Sequence, residues 1–141
     1  MKAMDKREHP RYPVKLPIAV TLGEVVASES AYLSNISAGG VLFNSMVELA
    51  PGSAILLHLP PGKPVLRTPG RVVWCTKLGF EYEIGVEFVI EDEQFRDRML
   101  SVMRRIEEYR RQLHRNGRIV TGQQAMLEWI EKFGPEFFSV D

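Results

Sequence analysis

Two short stretches carry most of the chemistry open to this chain. In "KREHPRYP", Arg7 and Arg11 stand four apart, and Pro10 and Pro13 keep the segment out of a regular helix. Two guanidinium forks on an extended arm can wrap an anion. Each offers paired planar donors that match a phosphate or the O6/N7 edge of guanine, and each can stack on a purine face. In "NISAGGV", residues 35–41, Asn35 and Ser37 are two apart, so on a strand their side chains leave the same face and can meet one ligand. Gly39 and Gly40 lack a Cβ, so they can take positive φ and let another group approach the backbone. The same residue types also build turns, and a plain hairpin would look much like this stretch.

Catalysis finds little support. His9, His58 and His114 lie in the arm, a strand and a helix end, with none of the local spacings of metal ligands, so no metal site is expected. His58, in "ILLHLP", reads as an outward strand position. The serines lack a nucleophile-elbow setting, and there is no phosphate loop or dinucleotide fingerprint. Glu81, Glu83, Glu87, Glu91 and Asp92 follow strand alternation into a helix start, as a solvated sheet face would. No catalytic residue is assigned.

The elements that must position the two stretches are mostly strands. From Leu16 to about Ile90, "LPIAVTL", "SAYLSNI", "GVLFN", "AILLHLP", "GRVVWCT" and "YEIGVEFVI" are rich in β-branched and aromatic residues, with Gly, Pro, Ser and Asn between them. Six short strands with no helix-period segment between them favour an antiparallel barrel or sandwich. Pro69 and Gly70 are expected to bend or bulge the fifth strand. After Ile90 the period changes. Asp92 can cap a helix whose seam is Phe95, Met99, Val102, Ile106, Tyr109 and Leu113, with "NG" at 116–117 as its stop. This seam can pack on the barrel or pair with its copy in a homodimer through helix 93–114. A second helix opens with a capping box, Thr121 with Gln124, carries Ala125, Leu127, Trp129, Ile130 and Phe133, and is expected to stop at Gly134-Pro135.

A chain of 141 residues can bury a core of its own without metals or disulfides. The single cysteine, Cys75, suits a reducing compartment, and the charged start "MKAMDKREHP" offers no signal-peptide core. No stretch approaches the roughly 18 apolar residues of a membrane span, so a cytoplasmic protein is expected. Eighteen basic and 18 acidic side chains cancel, which argues against broad binding to nucleic acid or an anionic membrane. The basic residues are unevenly placed: Lys2, Lys6, Arg7, Arg11 and Lys15 crowd the arm, and residues 16–62 contain no Lys or Arg.

"RxxxR" at Arg7 and Arg11, followed some two dozen residues later by "[D/N]xSxxG" at Asn35, Ser37 and Gly40, resembles the signature of the PilZ domain. "GRVVWC" and "IGVEFV" are similar to the later strands of that family, so the resemblance covers roughly residues 5–92. It implies a mainly β fold, a bacterial six-stranded antiparallel barrel that binds cyclic di-GMP, here followed by two C-terminal α-helices. The expected organisation is a switch arm over residues 1–15, the barrel over 5–92 and a helical extension over 93–141.

By the same resemblance, Arg7 and Arg11 contact the phosphates and guanine faces, Asn35 and Ser37 hydrogen-bond guanine and its surroundings, and Gly40, with Gly39 beside it, keeps the approach clear. Lys6, before the first arginine, leans toward a stacked pair of ligand molecules. Trp74 matches an aromatic position used against guanine, and is otherwise a core tryptophan. Asn35 stands where Asp is commoner and lacks the negative charge that would pair with guanine's donors. The implied protein is a non-catalytic receptor without a cofactor, whose arm orders on binding and relays the signal to an effector protein. The alternative is a barrel adaptor acting through its helices with weak or no nucleotide binding.

Overall fold

A computed structural model describes residues 12–23, 25–37, 39–59, 61, 66–90 and 93–137. Lys6, Arg7, Arg11 and the cap at Asp92 lie outside them. Six strands follow in chain order: β1 (Tyr12–Leu22), β2 (Val25–Ile36), β3 (Gly40–Ser45), β4 (Ala54–Leu59), β5 (Leu66–Leu78) and β6 (Glu81–Phe88). Two helices complete the chain, α1 (Glu93–Arg115) and α2 (Gly122–Phe137). The strands close in the order β1-β2-β3-β6-β5-β4, every neighbour antiparallel, as expected of the barrel.

Alternation builds the interior. On β3, Val41, Phe43 and Ser45 point inward, and on β4 Ile55, Leu57 and Leu59 do the same. With Leu16, Ile18, Leu33, Ile36 and Ile84 they make a core in which the largest side chains are fully enclosed, each contributing about 1.5–3 kcal/mol by leaving water. β1 departs from alternation, since residues 16–20 are all buried. Its outer face lies under the helices: a Cβ added at Gly122, the first residue of α2, would stand 2.8 Å from the Lys15 carbonyl oxygen and 3.0 Å from Pro17 Cδ.

Several strands are longer than their apolar runs, because backbone pairing continues where the side chains turn polar. Thus β1 begins at Tyr12 rather than Leu16, and β2 at Val25. The irregularity expected at Pro69-Gly70 falls elsewhere. Leu56 to Pro69 and Ile55 to Gly70 pair in regular register, and the bulge lies at Val73, between Val72 and Trp74. Pro69 and Gly70 instead mark where β5 passes from one partner to the other, with 66–71 on β4 and 70–78 on β6.

The α1 seam is used within the chain. Met99, Val102 and Ile106 are at most 1 % exposed, with Met103 beside them, and Ala125, Met126 and Trp129 of α2 are buried as well. α1 ends in a Schellman motif at Gly117 (φ 88°), with Arg118 N–H donating to Leu113 O (2.9 Å) and Gly117 N–H to His114 O (3.0 Å). The capping box of α2 is reciprocal: Gln124 N–H donates to Thr121 Oγ1 and Thr121 N–H to Gln124 Oε1, both at 3.0 Å. α2 does not stop at Gly134-Pro135 but runs to Phe137, so Pro135 falls in the last turn and removes only one backbone donor. Leu127 and Phe133, read as body residues of α2, stay nearly half exposed.

Candidate functional site

The strand register gathers the polar stretch and Trp74 on the barrel's outer surface. Pro13 pairs with Asn35, Asn35 with Leu42, Leu42 with Gly85 and Gly85 with Trp74, one row across β1, β2, β3, β6 and β5. At about 4.8 Å per strand, Asn35 and Trp74 stand about 14 Å apart along this row. A second outward row, two residues away, joins Gly40, Glu87 and Arg71. Between the rows lies a cleft of about 210 Å³ lined by Asn35, Ser37, Gly39, Gly40, Trp74 and Glu87, among others.

Asn35 and Ser37 share a face, as their spacing requires, with buried Ile36 between them. Their availability differs. The side chain of Asn35 makes no hydrogen bond to a described residue. Ser37 is committed to the turn: its Oγ accepts from Gly39 N–H (3.2 Å) and Gly40 N–H (3.3 Å) and donates to Gly40 O (3.4 Å), and its own N–H donates to Gly40 O (2.9 Å). The reading of "NISAGG" as a turn is therefore met, and the turn opens onto the cleft.

Gly40 lines the cleft and also meets a packing demand. It is not at positive φ, and a Cβ there would run into the Val86 carbonyl of β6, so glycine is required for β3 to lie against β6. Trp74 is not a core residue. At 38 % exposed it lies outside the barrel with its indole over Gly85, where any Cβ would strike the ring. The bulge turns both Val73 and Trp74 toward the cleft.

Reading the sequence alone misses Gly85 and Glu87. A glycine inside "EIGVEF" is the signal for a close approach, but nothing in one strand says which ring approaches. Glu87 is the only charged residue among the described residues lining the cleft. Its carboxylate sits 3.5 Å from Arg71 Nη1, both side chains about half exposed. Among the described residues the cleft is thus polar and aromatic-walled, with no cation in its lining and Arg71 paired to Glu87 beside it.

A second cleft, of about 530 Å³, lies between β1–β3 and α1. Its floor includes Glu107, which is 4 % exposed and accepts from Lys15 N–H (3.0 Å), Arg110 Nη2 (2.6 Å) and Arg111 Nε (2.9 Å). Burial pushes the Glu107 carboxyl up, but the Arg110 and Lys15 hydrogen bonds, the Arg110 charge and the Arg111 bond outweigh it and hold the group below its ordinary value. Arg111 also donates to Pro13 O (3.2 Å), and Arg104 stacks 3.9 Å over the Tyr12 ring. α1 therefore grips the opening residues of β1. His58 is an outward strand residue, as expected, 3.1 Å from Thr21 Oγ1, and burial with the nearby Arg67 charge holds its imidazole below the ordinary value. Among the described residues no cluster of three or more groups can hold a metal, and no helix is long and apolar enough to cross a membrane.

A family model for the PilZ domain matches residues 5–105. The chain belongs to the PilZ domain family. Solved structures with the same fold include the Bacillus subtilis inhibitor of motility MotI/DgrA, at 18 % identity and TM-score 0.51, covering 77 % of this chain and 52 % of that one. Escherichia coli YcgR in complex with c-di-GMP is 13 % identical with TM-score 0.57, covering 80 % and 51 %. The K. pneumonia MrkH complex with c-di-GMP is 14 % identical with TM-score 0.51, covering 68 % and 50 %. This PilZ chain spans about half the length of each of these proteins. Among curated protein sequences none matches.

Proposed function

We propose that this chain is a non-catalytic receptor for cyclic di-GMP, held between the arginine pair Arg7 and Arg11 and the cleft at the β2–β3 turn. One observation carries the reading. Tyr12 opens β1 opposite Ile36 and Pro13 pairs with Asn35, so the residue after Arg11 enters the barrel at the rim of the cleft. A dianion with two purines needs cations, and the described residues lining the cleft supply an aromatic wall and polar groups but no positive charge. The arm supplies what the cleft lacks. Charge-assisted hydrogen bonds are worth roughly 1.5–3 kcal/mol each, while fixing the arm costs about 1–2 kcal/mol per residue. Micromolar affinity follows more readily than picomolar.

Family membership and the two c-di-GMP complexes among the structural neighbours support the choice of ligand. The Trp74 indole extends this surface toward a guanine ring, and Lys6, before the first motif arginine, favours a second stacked ligand. The grip of α1 on Tyr12, Pro13 and Lys15 supports a relay: an arm drawn over the cleft changes the load on β1 and, through it, on the helices offered to an effector protein.

Calorimetric titration of cyclic di-GMP, with cyclic di-AMP and GTP as controls, tests the reading. Wild type binds the first alone, and Arg11→Ala loses at least tenfold, about 1.4 kcal/mol. Equal binding by both proteins removes the arm from the site. Absence of binding leaves the adaptor role acting through the helices.

A further inference from the structure

We infer that Glu87 is a specificity-determining residue of this site, its carboxylate accepting the N1–H and N2–H donors of a guanine base. The inference rests on the nucleotide reading above and names the group that tells guanine from adenine. Guanine's outer edge presents two adjacent N–H donors to a facing acceptor, and a carboxylate has two oxygens and no donor. Adenine offers one donor beside an unprotonated ring nitrogen, which a carboxylate repels. Asn35, with an amide that is half donor, cannot make this choice alone.

Glu87 is placed for the task. It stands beside Gly40 on the outward row next to the Asn35–Trp74 row and lines the same cleft. Its side chain is 52 % exposed, and its one partner among the described residues, Arg71, is a surface contact at 3.5 Å, too weak to hold it away from a ligand. A carboxylate also repels the phosphates of a dianion, so the inference has a sign that can come out wrong. If guanine is its partner, neutralising Glu87 weakens binding; if Glu87 is merely a nearby negative charge, neutralising it tightens binding.

The test titrates the full chain with cyclic di-GMP and with its inosine analogue, which keeps N1–H and lacks the N2 amine. Wild type, Glu87→Gln and Arg71→Ala are compared, each checked for an unchanged unfolding temperature, as the exposure of both side chains leads one to expect. Wild type favours cyclic di-GMP over the analogue at least tenfold, Glu87→Gln binds cyclic di-GMP at least tenfold more weakly and discriminates less than threefold, and Arg71→Ala stays within twofold of wild type. A Glu87→Gln protein that binds as well as wild type or better, or that keeps the full discrimination, overturns the role of Glu87 and leaves the nucleotide site standing. A wild-type protein that binds neither ligand overturns the nucleotide reading and this inference together.

Discussion

Asn35 and Ser37 enter the site by the same motif, yet their surroundings separate their roles, and a pair of alanine variants makes the difference measurable. Asn35 lines the cleft with its amide unbonded to any described residue, so Asn35→Ala removes nothing the fold uses. Its stability should stay within about 0.5 kcal/mol of wild type. A ligand-facing amide makes up to two neutral hydrogen bonds of about 1 kcal/mol each, so the loss in affinity is about 2 kcal/mol, roughly thirtyfold in Kd. Ser37→Ala differs because the hydroxyl accepts from Gly39 and Gly40 N–H at 3.2 and 3.3 Å. Losing those long, half-exposed bonds costs about 1 kcal/mol, a drop of about 4 °C in Tm for a domain of this size, along with weaker binding. Thermal unfolding followed by calorimetric titration with cyclic di-GMP reads both quantities. The reasoning is refuted if Asn35→Ala binds as wild type does, or if it lowers Tm as much as Ser37→Ala.

Three further outcomes follow from the packing. Gly85→Ala forces the Trp74 indole off the strand, so tryptophan fluorescence shifts and affinity for cyclic di-GMP falls at least tenfold; an unaltered emission spectrum would show that the ring does not rest there. Thr68 is 0 % exposed and its Oγ1 finds no partner among the described residues, so Thr68→Val should stabilise the barrel by about 1 kcal/mol in urea unfolding, and a loss of stability would contradict this. Glu107→Gln leaves Arg110 and Arg111 without their shared carboxylate and should cost about 3 kcal/mol near neutral pH. Because the folded protein holds this carboxyl below its ordinary value, its contribution is present above that value, about pH 4.3, and is lost as pH falls through the folded one. The acid limb of the wild-type stability curve is therefore shallower in the variant, and two parallel curves would contradict the assignment.

Much of this was legible in the chain itself. Period-two runs located six strands, and the switch to period 3.6 located α1, because the barrel interior and the helix seam each bury one face. What was not legible depends on partners. Pro69-Gly70 reads as a bend or bulge, and the bulge is set instead at Val73 by the β5–β6 register, which no single strand encodes. The sequence does not show that β6 also presses its backbone against Gly40. Glu87 is the exposed sheet-face carboxylate that strand alternation implies, and only the register sets it beside Gly40 and over the same cleft as Asn35. Trp74 was balanced between core and surface, and only the bulge at Val73 with the glycine across from it decided for the surface.

A crystal structure of the full chain with cyclic di-GMP tests the central claim most directly. The account predicts the nucleotide on the outer face of β2, β3, β5 and β6, with Arg7 and Arg11 against its phosphates or purines and Asn35 within hydrogen-bond reach. A nucleotide bound elsewhere, with both arginines turned to solvent, would contradict it.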